Sequence, residues 1–293
     1  MVAANGTYRC PAGTAPRAGR PTRRSRYRVR GGGRRAGTLG DTALPAGLAP
    51  HRPLGRTTVL VAGFPAGSFA ANCYVVAPAA GEECVIIDPG ENAAAGIDEI
   101  LREHRLKPVA VLLTHGHIDH VWSVAPVCGA KDVPAWIHPD DRGLLSDPAR
   151  GLSLNPGQEL FGGVTLSEPD DVRELSDGAV LDLAGLSFTV GHAPGHTPGS
   201  VVFRTPPAAG PDGAVPEVMF SGDLLFAGSI GRTDLPGGSY EDILASLSRV
   251  CLTLPDTTAV LPGHGPQTTI GRERATNPFL ADLAPADGPH QGF

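Results

Sequence analysis

From Thr57 onward, short apolar runs recur between clusters of Gly, Pro, Asp and Asn. Thr58-Val59-Leu60-Val61, Ala71-Asn72-Cys73-Tyr74-Val75-Val76, Cys84-Val85-Ile86-Ile87 and the run from Pro108 to Leu113 each predict a strand. A turn containing Gly and Pro joins the first two, and Asp88-Pro89-Gly90 stops the third. Ile97, Ile100 and Leu101 fall at helical spacing behind Asn92, which predicts a helix with Asn92 as its cap. A further helix is expected from Ile118 to about Val127, then a strand over 134–137, a short helix near 139–145 and a long surface loop over 146–172. Strands resume at 179–183, 186–190, 200–204 and 217–220. Ser239, with Asp242 three residues on, opens a helix that lines up Ile243, Leu244, Leu247 and Val250. A last strand spans 258–261 and a short helix about 271–281. Such a strand-rich body with interspersed helices implies sheets packed face to face and covered by helices.

The first 56 residues read differently. They hold sixteen Gly and Pro against six Val and Leu, too little apolar surface to offset the entropy of ordering. The expected organisation is a disordered extension over 1–56, one domain over 57–285 and a flexible tail over 286–293. Arg23-Arg24 and Arg34-Arg35 are followed by no apolar stretch of the kind an export signal needs, so the extension is read as having no role.

Charge divides at the same place. Residues 1–56 carry twelve Arg and one acid, whereas residues 57–293 carry a net charge of −17. An acidic body argues against nucleic acid as a partner. No apolar run approaches the roughly 18 residues of a membrane span. The five cysteines, Cys10, Cys73, Cys84, Cys128 and Cys251, are odd in number and widely spaced, which predicts free thiols in the cytoplasm. Cys73 and Cys84 are read as small buried hydrophobes rather than nucleophiles.

The chemistry concentrates in Thr114-His115-Gly116-His117-Ile118-Asp119-His120, directly after a strand. Imidazole nitrogens and carboxylate oxygens at this density predict a metal site. His115 and His117, two apart in an extended loop, can converge on one ion. Asp119 and His120 enter the next helix, point elsewhere and suit a second ion. Three more candidates stand in loops beside strands: His196 in Gly195-His196-Thr197-Pro198-Gly199, Asp223 in Ser221-Gly222-Asp223, and His264 in Gly263-His264-Gly265. A carboxylate such as Asp223 can bridge two ions about 3.5–4 Å apart. His51, His104, His138 and His192 are read as ordinary loop histidines, with His192 the one nearest to a supporting role.

These residues, in this order, resemble the metallo-β-lactamase superfamily from about Thr58 to about Leu280. Within it the chain is most similar to glyoxalase II-like hydrolases, through Ala193-Pro194-Gly195-His196-Thr197-Pro198-Gly199-Ser200, the stretch from Gly231 to Ser239, and Asn277-Pro278-Phe279-Leu280. The resemblance implies an α+β fold, the αββα four-layer sandwich. It implies one site of His115, His117, His196 and Asp223 and a second of Asp119, His120, Asp223 and His264. It implies that Asp88 holds ligand geometry without binding metal. Arg232 and Asp234 are read equally as a salt bridge and as substrate contacts beside the pocket. Glutathione-specific relatives carry a basic C-terminal extension, whereas residues 281–293 hold no Lys or Arg. The resemblance therefore carries the metal chemistry and leaves the thiol unassigned.

The expected activity is hydrolysis of a small-molecule thioester at two Zn²⁺ ions, with Fe or Mn as alternatives. Asp223 bridges the ions, and Asp119 is a ligand that also assists proton movement. A persulfide dioxygenase with one iron on His115, His196 and Asp223 is the alternative enzyme. β-Lactamase or lactonase activity and a non-catalytic binding module are further readings. Nothing in the sequence speaks to oligomeric state.

Overall fold

Strand β1 (Leu60–Ala66) pairs antiparallel with β2 (Ala71–Ala77) along its whole length. In this computed structural model, residues 59–154, 165–210 and 213–285 are described. The expectations for 1–56 and 286–293, and for Cys10 and His51, lie outside those residues.

The first sheet continues through β3 (Glu83–Ile87), β4 (Lys107–Leu112), β5 (Ala135–Ile137) and β6 (Val172–Glu174), in the order β1-β2-β3-β4-β5-β6. Its last three pairings are parallel. Helices α1 (Ala93–His104), α2 (Ile118–Val121), α3 (Val124–Lys131) and α4 (Pro139–Arg142) lie between its strands in the chain. The second sheet takes β7 (Val180–Leu183), β8 (Leu186–His192) and β9 (Val201–Thr205). After a short hairpin of β10 (Ala208–Gly210) and β11 (Gly213–Val215), it adds β12 (Val218–Gly222). The two-residue strands β13 (Leu225–Phe226) and β14 (Ser229–Ile230) pair with each other, then come α5 (Tyr240–Ser246), β15 (Ala259–Pro262), β16 (Thr268–Thr269) and α6 (Ile270–Thr276). The order is β16-β15-β12-β9-β8-β7.

Burial shows the layering. Tyr74, Val76, Val85, Ile87 and Leu112 from the first sheet share a core with Phe188, Val190, Phe203 and Phe220 from the second. The other face of the first sheet packs on Ile97 and Leu101 of α1 and Val124, Val127 and Cys128 of α3. The other face of the second packs Val202, Met219 and Val260 against Ile243, Leu247 and Ile270. Two sheets with helices outside each give the expected four-layer sandwich. Each fully buried side chain such as Phe188, Phe203 or Phe220 contributes about 1.5–3 kcal/mol to that packing.

Several local expectations change. The helix expected over 118–127 is two helices, because Pro126 cannot donate a fourth-residue hydrogen bond and its ring displaces the carbonyl of Trp122. Asn92 does not cap α1: it is left-handed at φ 56°, and the carbonyl of Gly90 closes that turn instead by accepting from Ala93 N–H. The first strand runs on through Gly63 and Pro65, which a sheet edge tolerates because an edge residue needs no ladder donor. The last helix stops at Thr276, ahead of Pro278. The loop expected over 146–172 contains a 3₁₀ turn at Pro148–Gly151, while 155–164 lie outside the described residues. His104 ends α1 rather than lying in a loop. Ser239 does cap α5, accepting from Asp242 N–H at 3.2 Å.

Cys73, Cys84, Cys128 and Cys251 are free and buried. Burial pushes the Cys84, Cys128 and Cys251 thiols up to about 12 and raises Cys73 as well, so none is a ready thiolate.

Candidate metal centre

Every candidate ligand, and the supporting Asp88, follows the carboxyl end of a strand. Asp88 follows β3, His115 and His117 follow β4, His196 follows β8, Asp223 follows β12 and His264 follows β15. Asp119 and His120 sit in α2, which starts directly from the loop. The edge shared by these strand ends is where open α/β architectures place sites.

The seven side chains meet. His117 Nδ1 lies 2.8 Å from His196 Nε2, and His196 Nε2 lies 3.5 Å from Asp223 Oδ2. On the other side, His264 Nε2 is 3.1 Å from Asp119 Oδ2 and 3.3 Å from His120 Nε2. Asp223 Oδ1 is 3.4 Å from His120 Nε2, and Oδ2 is 3.7 Å from His264 Nε2. Three sets bring one ligand atom per residue within 4.8 Å of each other: His115, His117 and His196; Asp119, His120 and His264; and, straddling both, His115, His120 and Asp223. The carboxylate of Asp223 thus stands between two clusters, the arrangement that two neighbouring ions require.

The outer atoms decide the tautomers. Asp88 accepts from Thr114 N–H at 2.8 Å and from its hydroxyl at 2.6 Å. The committed hydroxyl then accepts from His115 Nδ1 at 3.1 Å. Asp88 also lies 3.0 Å from His120 Nδ1, and the carbonyl of Arg232 lies 2.8 Å from His196 Nδ1. With Nδ1 so engaged, His115, His120 and His196 turn Nε2 lone pairs inward, as metal-bound imidazoles do. His115 Nε2 and Asp223 Oδ1 are buried and find no hydrogen-bond partner. Buried orphaned acceptors are costly unless something else satisfies them, so this donor set fits metal ions.

The protein alone polarises the two clusters oppositely. Burial holds His115 and His117 below the ordinary imidazole range, His117 at about 4. Burial works the same way on His120, but Asp119 and Asp223 outweigh it and raise His120 well above that range. His264 is raised too, against burial, by its bond to Asp119. Asp119 and Asp223 are held below the carboxylate range, His120 outweighing the burial that opposes ionisation.

Glycine makes the convergence possible at two points. A Cβ on Gly263 would stand 2.1 Å from Asp223 Oδ1 and 2.7 Å from His120, and one on Gly231 would stand 1.8 Å from the carbonyl oxygen of Asp223.

Sequence reasoning missed the support beneath the loops. Asp141 is fully buried and accepts from Gly116 N–H, the Thr197 hydroxyl and Gly199 N–H at 2.6–2.8 Å. Tyr74 donates its hydroxyl to the Pro262 carbonyl at 2.7 Å, steadying the turn before His264. His192 ends β8 rather than lying in a loop, and its Nε2 lies 2.8 Å from the Pro198 carbonyl in the His196 loop. His138 is not a plain loop residue, since it is nearly buried and stacks on His192 at 4.1 Å with planes 6° apart. His138, Asp140 and His192 also bring ligand atoms together, but parallel rings send their in-plane lone pairs past each other, so this group is a stack rather than a metal site. Arg232 and Asp234 form a bidentate pair, 2.7 Å at each bond, at the rim.

The sequence profile of the Metallo-beta-lactamase superfamily matches residues 66–264. The chain is 35% identical to the hydroxyacylglutathione hydrolase GloC of Haemophilus influenzae over 218 residues, covering 74% of this chain and 95% of that one. Among solved structures, it is 40% identical to the BLEG-1 B3 metallo-beta-lactamase, with a TM-score of 0.63 over 75% of this chain and 99% of that one. It is 42% identical to TTHA1623 in a di-iron-bound form, with a TM-score of 0.58 over 73% and 97% of the two chains. The four-layer sandwich, the order of the histidines and carboxylates and these matches together place the chain in the metallo-beta-lactamase superfamily.

Proposed function

We propose that this protein, a metallo-hydrolase of its superfamily, cleaves thioesters of small-molecule thiols at a two-metal centre. The observation that carries the reading is Asp223, whose carboxylate stands between His115, His117 and His196 on one side and Asp119, His120 and His264 on the other. Zinc suits the imidazole and carboxylate donors, and iron suits them too. Held by these residues, such ions would lower the pKa of a bound water to about 7 and polarise a carbonyl.

The chain's own residues do the rest. His115, His117 and His196 bind on one side and Asp119, His120 and His264 on the other, while Asp88 and the Arg232 carbonyl orient the rings. Asp119 lines the pocket and is held ionised; ligand is its first role, and from that position it would also assist movement of an attacking water's proton. No serine or cysteine nucleophile is required, and the buried cysteines remain thiols. The thioester reading is supported by the glyoxalase II-like motifs and by the likeness to GloC. A β-lactam substrate is the second reading, favoured by 40% identity to BLEG-1. A mononuclear iron centre would leave the complete set of Asp119, His120 and His264 without use.

The test is metal analysis of the purified protein together with hydrolysis of a thioester and a β-lactam. Two metal equivalents and thioester hydrolysis, both lost in His115→Ala and in Asp223→Ala, are expected. Full activity in either variant would overturn the site; one iron with oxygen uptake would overturn hydrolysis. With no helix among the described residues long and apolar enough to cross a membrane, a cytoplasmic location remains part of the proposal.

A further inference from the structure

The space above the metal cluster has a distinct chemistry. A cavity of about 400 Å³ opens there, with His117, Asp119, His196, Asp223 and His264 at its polar end. Its walls are mostly apolar, from Phe69, Ile118, Leu152, Phe226, Ile230 and Leu235, with Ser229 the one uncharged polar residue among them. Among the described residues, Arg232 is the one Lys or Arg that lines it. Both Nε and Nη2 of that guanidinium are on Asp234, so the rim presents a neutral pair. The chain's two lysines are engaged elsewhere, Lys107 with Glu83 and Lys131 with Asp98. Residues 57–293 carry a net charge of −17.

A thioester whose carbonyl sits at the cluster must lay its remaining atoms along these walls. Apolar groups gain by leaving water there. A carboxylate laid on these walls, away from the metal cluster, loses its hydration and finds there only the Arg232 cation already paired with Asp234. We infer that the site takes thioesters with uncharged, apolar flanks and discriminates against thiols that carry carboxylates, glutathione included. This rests on the thioester reading for the reaction, but the preference itself belongs to the walls.

The experiment therefore separates binding from turnover. The full-length, metal-loaded protein is titrated calorimetrically with two thioethers, which cannot be hydrolysed at sulfur: S-hexyl-N-acetylcysteamine, which is neutral, and S-hexylglutathione. The neutral ligand is expected to bind at least about tenfold more tightly, and Phe226→Ala to weaken it by about tenfold. Equal or tighter binding of S-hexylglutathione overturns the inference, as does failure of both ligands to bind or an unchanged affinity in Phe226→Ala. Hydrolysis of the matching S-hexanoyl thioesters is measured alongside. A neutral preference in binding with no hydrolysis of either thioester would sink the thioesterase reading and leave this inference standing.

Discussion

The Asp141 carboxylate accepts the Thr197 hydroxyl at 2.6 Å and, through the same oxygen, the backbone N–H of Gly116 at 2.8 Å. Its other oxygen holds Gly199 N–H at 2.8 Å. One buried carboxylate thus ties the loop carrying His115 and His117 to the loop carrying His196. Asp141→Asn replaces one acceptor oxygen by a donor facing a donor. We expect about 10–100-fold weaker metal binding at the first set of ligands, as for other residues that orient ligands. Asp141→Ala should also cost about 1–3 kcal/mol per orphaned buried group. Chelator competition and thermal melts read both effects. Unchanged metal affinity in both variants would remove Asp141 from this role.

Asp141 also shows where sequence stops being legible. His115 to His120 announce themselves because four ligands crowd into one short loop. His196, Asp223 and His264 follow because each stands alone in a glycine-framed loop beside a strand. Asp141 sits in Pro139-Asp140-Asp141-Arg142, which reads as an exposed acidic helix start; only the fold turns one of those two carboxylates inward. The Tyr74 hydroxyl, on a strand far from Pro262 in the chain, is hidden for the same reason. Strands and layers were readable from apolar runs, but not the sheet order, which joins segments far apart. Phe69, Leu152, Phe226 and Leu235 come from loops and short hairpins with no periodicity to mark them as one wall.

Asp88 touches no prospective ion, yet its Oδ2 meets both the Thr114 hydroxyl and His120 Nδ1. Asp88→Asn should leave the first cluster able to bind while loosening His120. The expected result is a fall from two metal equivalents toward one on dialysis, with an affinity loss of about 10–100-fold at the second set. Retention of both equivalents at wild-type affinity would contradict it.

The two clusters should differ in pH dependence. Metal binds neutral imidazole. His117, pushed down by burial to about 4, and His115, lowered likewise, have no proton to displace at pH 6. His120 and His264 are raised, the carboxylates of Asp119 and Asp223 outweighing burial, and must release protons when metal enters. As pH falls from 8 to 6, affinity at the second set should therefore drop, by up to about tenfold per unit per proton displaced. The contribution of His115 and His117 to the first set should hold until pH approaches the His117 value. Metal counts after dialysis at pH 6 and 8, with binding enthalpies in buffers of different ionisation heat, check this. Parallel loss of both ions over that range would refute it.

Two glycine substitutions should move stability in opposite directions. A Cβ at Gly263 meets Asp223 Oδ1 at 2.1 Å and His120 at 2.7 Å, and neither neighbour can yield without abandoning the cluster. Gly263→Ala should cost about 1–3 kcal/mol by overpacking and weaken metal binding with it. Gly129 lies inside α3, where a Cβ meets nothing within 4 Å. Gly129→Ala should instead stabilise by about 0.4–1 kcal/mol, because alanine loses less backbone freedom on folding. Denaturant midpoints of the two variants, each with and without metal, separate the effects: the Gly129 gain should persist in the metal-free protein. A Gly263→Ala protein that holds two metal equivalents at wild-type stability would show that the turn can move away from Asp223.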